Sequence, residues 1–344
     1  MGKAEREILE ILRQTGEAYQ SEVVKATGFS RSTVSETVSQ LMKRRLVRRV
    51  AVGKNWKLYS EEEKGAGNRP RTDRRGNVLR LGFTRAAEYP FLVPFRRALR
   101  DAGIGIEFKV YNNGIEVAKD LSRFRIDLGV APALTLFLFY SSEAPIRIIA
   151  PAGSGGASVI LSNRGASVSA TAGAVTCTKI STMELMMRSA VRSSAIPDAP
   201  NIVYASGPDQ MQRMIASGAV GVGCIWEPYA TMLEAGGARR LIRYSDMGDH
   251  VCCALAAGCH LSDGVLAKVV RQYRTSMDLF NREPEAYLPG YGVLSGLESS
   301  LLRRVRGEYA YPADFSGGVV EHQFERAGLT MPSPSSFRDA LFKP

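Results

Sequence analysis

Residues 61–77 read EEEKGAGNRPRTDRRGN, with Ala66 the sole hydrophobic residue among them. So few apolar groups cannot seat a segment in a core, and its Gly and Pro residues break regular structure. The 344-residue chain is therefore expected to build its cores on either side of this stretch. Charge shifts at the same place. Through Asn77 there are 17 Lys and Arg against 10 Asp and Glu, a net of +7; the remainder holds 28 against 24, a net of +4. This is the pattern of a basic module joined to a nearly neutral one. The expected organisation is a domain over 1–60, a linker over 61–77 and a larger domain over 78–344.

At 45% hydrophobic and 23% charged residues, the chain has material for a sizeable core, and wholesale disorder is excluded. The overall charge of +11 favours an anionic partner, such as nucleic acid. The longest apolar stretch, Leu128 to Tyr140, falls short of the ~20 residues a bilayer requires, so no membrane partner is expected. The opening MGKAEREILEILRQTG is charged and amphipathic, with no apolar h-region and no small-residue cleavage site. Arg6 stands where a myristoylation signal needs Ser or Thr. On this reading the protein is expected in the cytoplasm. The cysteines Cys177, Cys224, Cys252, Cys253 and Cys259 are odd in number, sparse and without a C-x-x-C pair, so no disulfide framework is expected. His250 and His260 flank three of them, but the spacing fits no usual zinc pattern and Val251–Cys259 is apolar enough for a buried strand. The cysteines are read as core residues, and neither a metal site nor a cofactor is expected.

Before the polar stretch, Ile8, Leu9, Ile11 and Leu12 recur at helical spacing and predict a helix from about Ala4 to Gln14, stopped by Gly16. Val23, Val24 and Ala26 give a short second helix ending at Thr27-Gly28. Ser30 is an N-cap candidate for a third helix of about Arg31 to Arg45, with Val34, Val38, Leu41 and Met42 as its apolar stripe. Leu46, Val50, Val52, Trp56, Leu58 and Tyr59 around Gly53-Lys54-Asn55 predict a hairpin.

Three helices and a hairpin, with Thr27-Gly28-Phe29-Ser30 at the bend and RSTVSETVSQLMKRRLVRR after it, resemble a winged helix-turn-helix domain of the MarR and related regulator families. The resemblance implies a third helix in the major groove of double-stranded DNA. Arg31, Ser32, Thr33, Ser35 and Ser39 would then face base edges, Lys43, Arg44 and Arg48 would meet phosphates, and Lys54 and Lys57 would reach from the hairpin. The alternative is that these residues form an ordinary solvated face, or that the module docks protein.

From Val78 the pattern becomes strand–helix alternation: VLRLGFTR, IGIEFKVYN, IDLGVA, PIRIIAPA and SVILS as strands, Tyr89–Ala102 and Ile115–Arg123 as helices. A second run, from about Ala166 to Ser245, holds helices at Ser181–Arg192 and Pro208–Ala216 and a strand at GVGCIW; the tail from Ser262 is mainly helical. This is α/β architecture, expected to carry mostly parallel sheets. LGFTRAAEYP, RFRIDLGVAPAL, RIIAPAGSGGASVILS and QMQRMIASGAVGVGCIWEPYATMLEAGGARRLIRYSD, in that order, resemble the type II periplasmic substrate-binding proteins. The branch is that of the nitrate, sulfonate and taurine binders and the thiamine-pyrimidine proteins. Val222 or Gly221 stands where that family usually has Asp. The resemblance implies two lobes, one of about 78–155 plus 246–344 and one of about 156–245, closing on a small-molecule effector.

Strand ends and helix N-termini around such a cleft favour anionic groups. Thr84, Arg85, Tyr89, Ala131 and Pro132 would come from the first lobe, with Ser154, Gly155 and Gly156 allowing close backbone approach. Thr176, Thr178, Lys179, Ser181, Trp226 and Glu227 would come from the second. Each has a plainer role open to it: Trp226 as core, Glu227 as an ion-pair partner of an Arg, Arg85 as surface, Gly155 and Gly156 as a turn. No catalytic constellation is present: there is no G-x-S-x-G, no H-E-x-x-H and no P-loop lysine. The expectation is a homodimeric one-component transcription regulator and not an enzyme. The alternative is a thiamine-pyrimidine synthase-like enzyme, for which Lys179 is the lysine the cleft offers.

Overall fold

The structure is a computed structural model that describes residues 1–52, 55–61, 78–163, 174–196, 201–248, 250–312, 315 and 318–330. The chain forms two units: Met1–Val78 with Tyr89–Ile106 and Arg271–Arg306, and Leu79–Glu88 with Glu107–Val270 and Gly307–Pro344. The elements in chain order are α1 (Lys3–Thr15), β1 (Glu17–Tyr19), α2 (Gln20–Thr27), α3 (Arg31–Lys43), β2 (Val47–Val52) and β3 (Asn55–Ser60). Then come β4 (Val78–Thr84), α4 (Leu92–Asp101), β5 (Gly105–Tyr111), α5 (Gly114–Ser122), β6 (Leu128–Pro132), α6 (Ala133–Ser141), β7 (Ile146–Gly155) and β8 (Ala157–Leu161). They are followed by β9 (Val175–Cys177), α7 (Thr182–Arg192), β10 (Ile202–Tyr204), α8 (Pro208–Ser217), β11 (Val222–Trp226), α9 (Tyr229–Ala235) and β12 (Arg239–Arg243). The last are β13 (Cys253–Gly258), α10 (Asp263–Arg282), α11 (Leu288–Ser295), α12 (Ser299–Val305), β14 (Tyr309–Ala310) and α13 (Val319–Arg326).

In the first unit α1 buries Ile8, Ile11 and Leu12 and stops at Gly16, whose φ of 74° suits a residue without Cβ. Gly28, left-handed at φ 71°, ends α2. Ser30 Oγ accepts the Thr33 N–H at 3.0 Å and so caps α3. β2 and β3 form an antiparallel hairpin in register Val47↔Ser60, and β1 pairs on the far side of β3, giving the order β1-β3-β2. Val23, Val34, Val38, Leu41 and Leu58 close the core, and Val293 of α11 joins it. α11 lies close because two of its positions carry no side chain. A Cβ on Gly290 would meet Gln14 Oε1, the acceptor of the Gly290 N–H, and a Cβ on Gly292 would fall 2.8 Å from the Leu297 carbonyl. Phe91 and Phe95 both stand edge-on to Tyr273 of α10 at 5.5 Å.

The second unit holds two sheets, of strand order β14-β7-β13-β6-β4-β5 and β10-β9-β11-β8-β12. They are mixed, not mostly parallel. β4 runs parallel to β6, and β10 and β11 run parallel to β9. β13 is antiparallel to β6 and β7, and β8 is antiparallel to β11 and β12. A parallel neighbour needs a helical crossover on its own sheet, whereas β8 and β13 are entered by chain arriving from the other sheet. The outward passage is at Gly155 and Gly156, with φ of 91° and 69°. The stretch from Leu128 to Tyr140 becomes the buried strand β6 and the helix α6. The expected linker lies, apart from Glu61, outside the described residues, as do Gly53 and Lys54 of the hairpin turn.

Candidate functional site

The residues named from the sequence for DNA lie in the first unit, and most of those named for the cleft lie in the second. On α3, Val34, Thr37, Val38 and Leu41 are buried, which turns Arg31, Ser32, Ser39 and Lys43 outward, with Thr33 and Ser35 half-buried. The hydroxyls are mutually engaged: Ser30 Oγ lies 2.7 Å from Ser32 Oγ and 2.8 Å from Thr33 Oγ1, and Ser39 Oγ donates to the Ser35 carbonyl at 2.9 Å. Several of the expected phosphate contacts have partners within the chain. Arg44 pairs with Glu5 at 2.9 Å, Arg48 with Glu61 at 3.4 Å and with the Tyr59 ring, and Lys57 with Glu17 at 2.8 Å. Burial opposes the Lys57 charge, but Glu17 overcomes it and the ammonium pKa lies above its usual value. Arg49 stacks over Trp56, which is 45% exposed. Arg31 and Lys43 have no ion pair among the described residues. Lys54 lies outside those residues.

In the second unit, most of the residues named from the sequence for the cleft have bonding partners within the unit. Trp226 Nε1 donates to the Arg85 carbonyl at 2.9 Å and so ties the end of β11 to the loop after β4. Arg85 is 39% exposed at its side chain and 4.0 Å from Asp209. Glu227 is fully buried: its carboxylate accepts from Arg240 at 2.7 Å and from the Thr231 N–H at 3.0 Å. Arg240 also pairs with Glu234 at 2.6 Å, and Tyr309 donates its hydroxyl to the Glu227 carbonyl at 3.1 Å. The glycines make room for Glu308 and Tyr309. A Cβ at Gly155 would lie 2.3 Å from the Glu308 carbonyl, and one at Gly156 would enter the Tyr309 ring. Ser154 donates to the His250 carbonyl at 2.5 Å. Thr84 and Ala131 are buried and Pro132 half-buried beside them. Tyr89, in the first unit, is buried edge-on to Phe91.

The Thr176–Thr182 segment is equally self-sufficient. Thr176 donates to the Val203 carbonyl at 2.8 Å, Thr178 to Ser181 Oγ at 2.8 Å, and Ser181 caps α7 through the Glu184 N–H. The positive end of α7 already holds a carboxylate, because Glu184 accepts the Ile180 N–H at 2.7 Å. Arg188 and the Tyr204 hydroxyl flank that carboxylate, each at 2.8 Å. Lys179 is exposed, with its ammonium 5.7 Å from the centre of the Tyr204 ring. Reasoning from sequence passed over Glu88, which is buried with Cys252 and Cys253. Its signal was an acidic residue inside RAAEYP, just after an apolar strand. Four of the five cysteines are buried as expected of core residues, whereas Cys259 is exposed. Burial pushes the Cys177 thiol up to about 12.

The family described as a domain of unknown function (DUF7343) matches residues 1–60. No curated protein matches the chain. Among solved structures, the chain is similar to the periplasmic aliphatic sulphonate binding protein SsuA from Escherichia coli. The identity is 17%, over 78% of this chain and 92% of that one, with a TM-score of 0.62. It is similar to the alkanesulfonate-binding protein SsuA from Xanthomonas axonopodis pv. citri bound to MOPS, at 18% identity over 77% and 98% with a TM-score of 0.62. It is also similar to the periplasmic nitrate-binding protein NrtA from Synechocystis PCC 6803, at 13% identity over 77% and 85% with a TM-score of 0.63. The chain carries a periplasmic-binding-protein-like fold.

These likenesses correct one expectation. The cytoplasmic placement read from the N-terminal residues is overturned, because the similar structures are described as periplasmic. An amphipathic opening segment with a helix core of its own reports how that segment folds and leaves the compartment undetermined. No described helix is long and apolar enough to cross a membrane. These neighbours are described as binding proteins and not as enzymes.

Proposed function

We propose that the chain is a ligand-responsive regulator whose first 60 residues form a winged helix that binds duplex DNA, as a homodimer on a palindromic site, and whose second unit binds a small-molecule effector. The observation that carries the reading is α3. It is capped, amphipathic and packed on its inner face, and it turns Arg31, Ser32, Ser39 and Lys43 to solvent, with no ion pair for either cation among the described residues. A helix presenting short hydroxyls and free cations is suited to base edges and phosphates. The hairpin adds Arg49 stacked on an exposed Trp56, a flat cationic surface of the kind that follows a sugar–phosphate backbone.

The effector half of the proposal rests on the fold that the chain shares with sulphonate and nitrate binding proteins. A small sulfur- or nitrogen-containing anion, or a thiamine-type pyrimidine, is the class to try first. Fluorescence anisotropy on labelled duplex DNA across a salt series is the test. Log affinity is expected to fall linearly with log salt, and Lys43→Ala is expected to weaken all sequences and lower the slope by about one phosphate contact. Arg31→Ala is expected to cost about 1–3 kcal/mol on a selected site and to relax base preference there. Binding that ignores salt, or that ignores both substitutions, removes α3 as the reader. Mass spectrometry of co-purified small molecules, followed by thermal shift with alkanesulfonates, nitrate and pyrimidines, tests the effector, since a ligand of the folded form raises the midpoint.

A further inference from the structure

Glu88, Cys252 and Cys253 bring one carboxylate and two sulfurs together inside the second unit, at 3%, 4% and 2% exposure. Cys253 Sγ lies 3.3 Å from Glu88 Oε2 and 3.6 Å from Cys252 Sγ, and the donor atoms of all three residues fall within 4.8 Å of one another. The sheet sets this up. Cys253 opens β13, between β6 and β7, and Gly153 of β7 stands opposite it. A Cβ on Gly153 would lie 2.5 Å from Glu88 Oε1, so the carboxylate fills the space a side chain there would take. The backbone at Cys252 is pinned. Its N–H donates to the Gly153 carbonyl at 3.1 Å, and its carbonyl accepts from the Ala133 N–H and the Thr182 hydroxyl, each at 2.9 Å.

We propose that Glu88, Cys252 and Cys253 are the ligands of a thiophilic divalent metal ion of the zinc type. With zinc–sulfur bonds of about 2.3 Å and zinc–oxygen bonds of about 2.0 Å, a tetrahedral ion sets two sulfurs about 3.8 Å apart and a sulfur and an oxygen about 3.5 Å apart. The observed spacings are within a few tenths of an ångström of both edges. Thiolate donors select zinc over magnesium or calcium. Three protein donors leave a fourth position for water or a small anion. Binding is a simple exchange: the ion displaces one proton from each thiol, both protons leave to solvent, and a site of charge −1 remains. The inference does not depend on DNA binding.

The test uses the full chain, stripped with a chelator under mild thiol reductant and titrated with Co2+. A thiolate-to-cobalt charge-transfer band and intense tetrahedral d–d bands are expected to saturate at one equivalent and to be bleached by Zn2+. Glu88→Gln and Cys253→Ser, each checked for folding by circular dichroism, are expected to weaken Zn2+ at least about tenfold. Cys259→Ser, which removes the exposed cysteine, is expected to bind as the parent does. If either cluster variant does not fold, X-ray absorption of the zinc-loaded parent decides: two sulfur neighbours at about 2.3 Å support the site, and none overturns it. The proposal also falls if the folded parent gives no thiolate band, if the band survives both cluster substitutions, or if Cys252 and Cys253 stay joined as a disulfide under reductant.

Discussion

Glu227 shows how one residue type carries two readings until its neighbours are known. After an apolar strand and before a proline it suits a ligand contact, yet its carboxylate is turned into the unit toward Arg240, which is itself 6% exposed at its side chain. Removing the guanidinium strands a buried charge. Arg240→Ala is therefore expected to cost about 3–5 kcal/mol in urea unfolding, and the double change Glu227→Leu with Arg240→Leu distinctly less than the sum of its parts. Asp127 gives a second residue-scale expectation. Burial alone would raise its carboxyl pKa, but hydrogen bonds from the Arg80 N–H, Nε and Nη2 at 2.7–3.0 Å and from His260 outweigh it, leaving the pKa below its usual value. A carboxyl depressed in the folded state stabilises above its unfolded pKa, and that contribution is lost as pH falls through the folded one. The stability of the parent and of Asp127→Asn is thus expected to differ near neutrality and to converge below about pH 4, in denaturant midpoints measured across pH.

Among the elements, α3 and α11 are built by opposite devices. α3 is specified by its own residues: Ser30 caps it, and an apolar stripe at helical spacing decides which face is free. Ser30→Ala is expected to cost about 1 kcal/mol, read as a lower melting midpoint with unchanged secondary structure. α11 is nearly apolar all round and is placed by what it lacks. Its Gly292 leaves room for the Leu297 carbonyl and for Ala26 of α2, whose Cβ would lie 3.3 Å from an added Cβ. Gly292→Ala forces backbone to move and is expected to cost about 1–3 kcal/mol, measured by chemical unfolding. The first three helices and the hairpin were legible because their signals are local: Gly16 and Gly28 as stops, Ser30 as a cap, period-3.6 stripes. β9, β10 and β12 were not: β9 is buried throughout, which erases alternation, and β10 and β12 are short and largely exposed or half-buried, so neither carries an apolar face at period two.

At the scale of the whole chain, the segment Arg271–Arg306 belongs to the same unit as the first 60 residues, and Val293 sits in their core. Val293→Asp would bury an unpaired carboxylate there and is expected to lower hydrogen-exchange protection of α1 and α2 amides in the full chain. No local pattern announces a partner some 280 positions away, because such packing depends on complementary shapes that only the folded chain brings together. The amino-acid sequence alone determined where the first three helices begin and end, which side of α3 is apolar, the alternation that makes the second unit α/β, and the surplus of positive charge at one end. Those properties follow from spacing and side-chain chemistry over a few residues. Tertiary structure alone decided that Glu227 answers to Arg240, that Glu184 fills the start of α7, that the sheets are mixed, and that Glu88 meets Cys252 and Cys253. The mixed sheets and the meeting of Glu88 with Cys252 and Cys253 join residues far apart in the chain, and at all of these sites burial, by stripping water from polar groups, compels them to find partners.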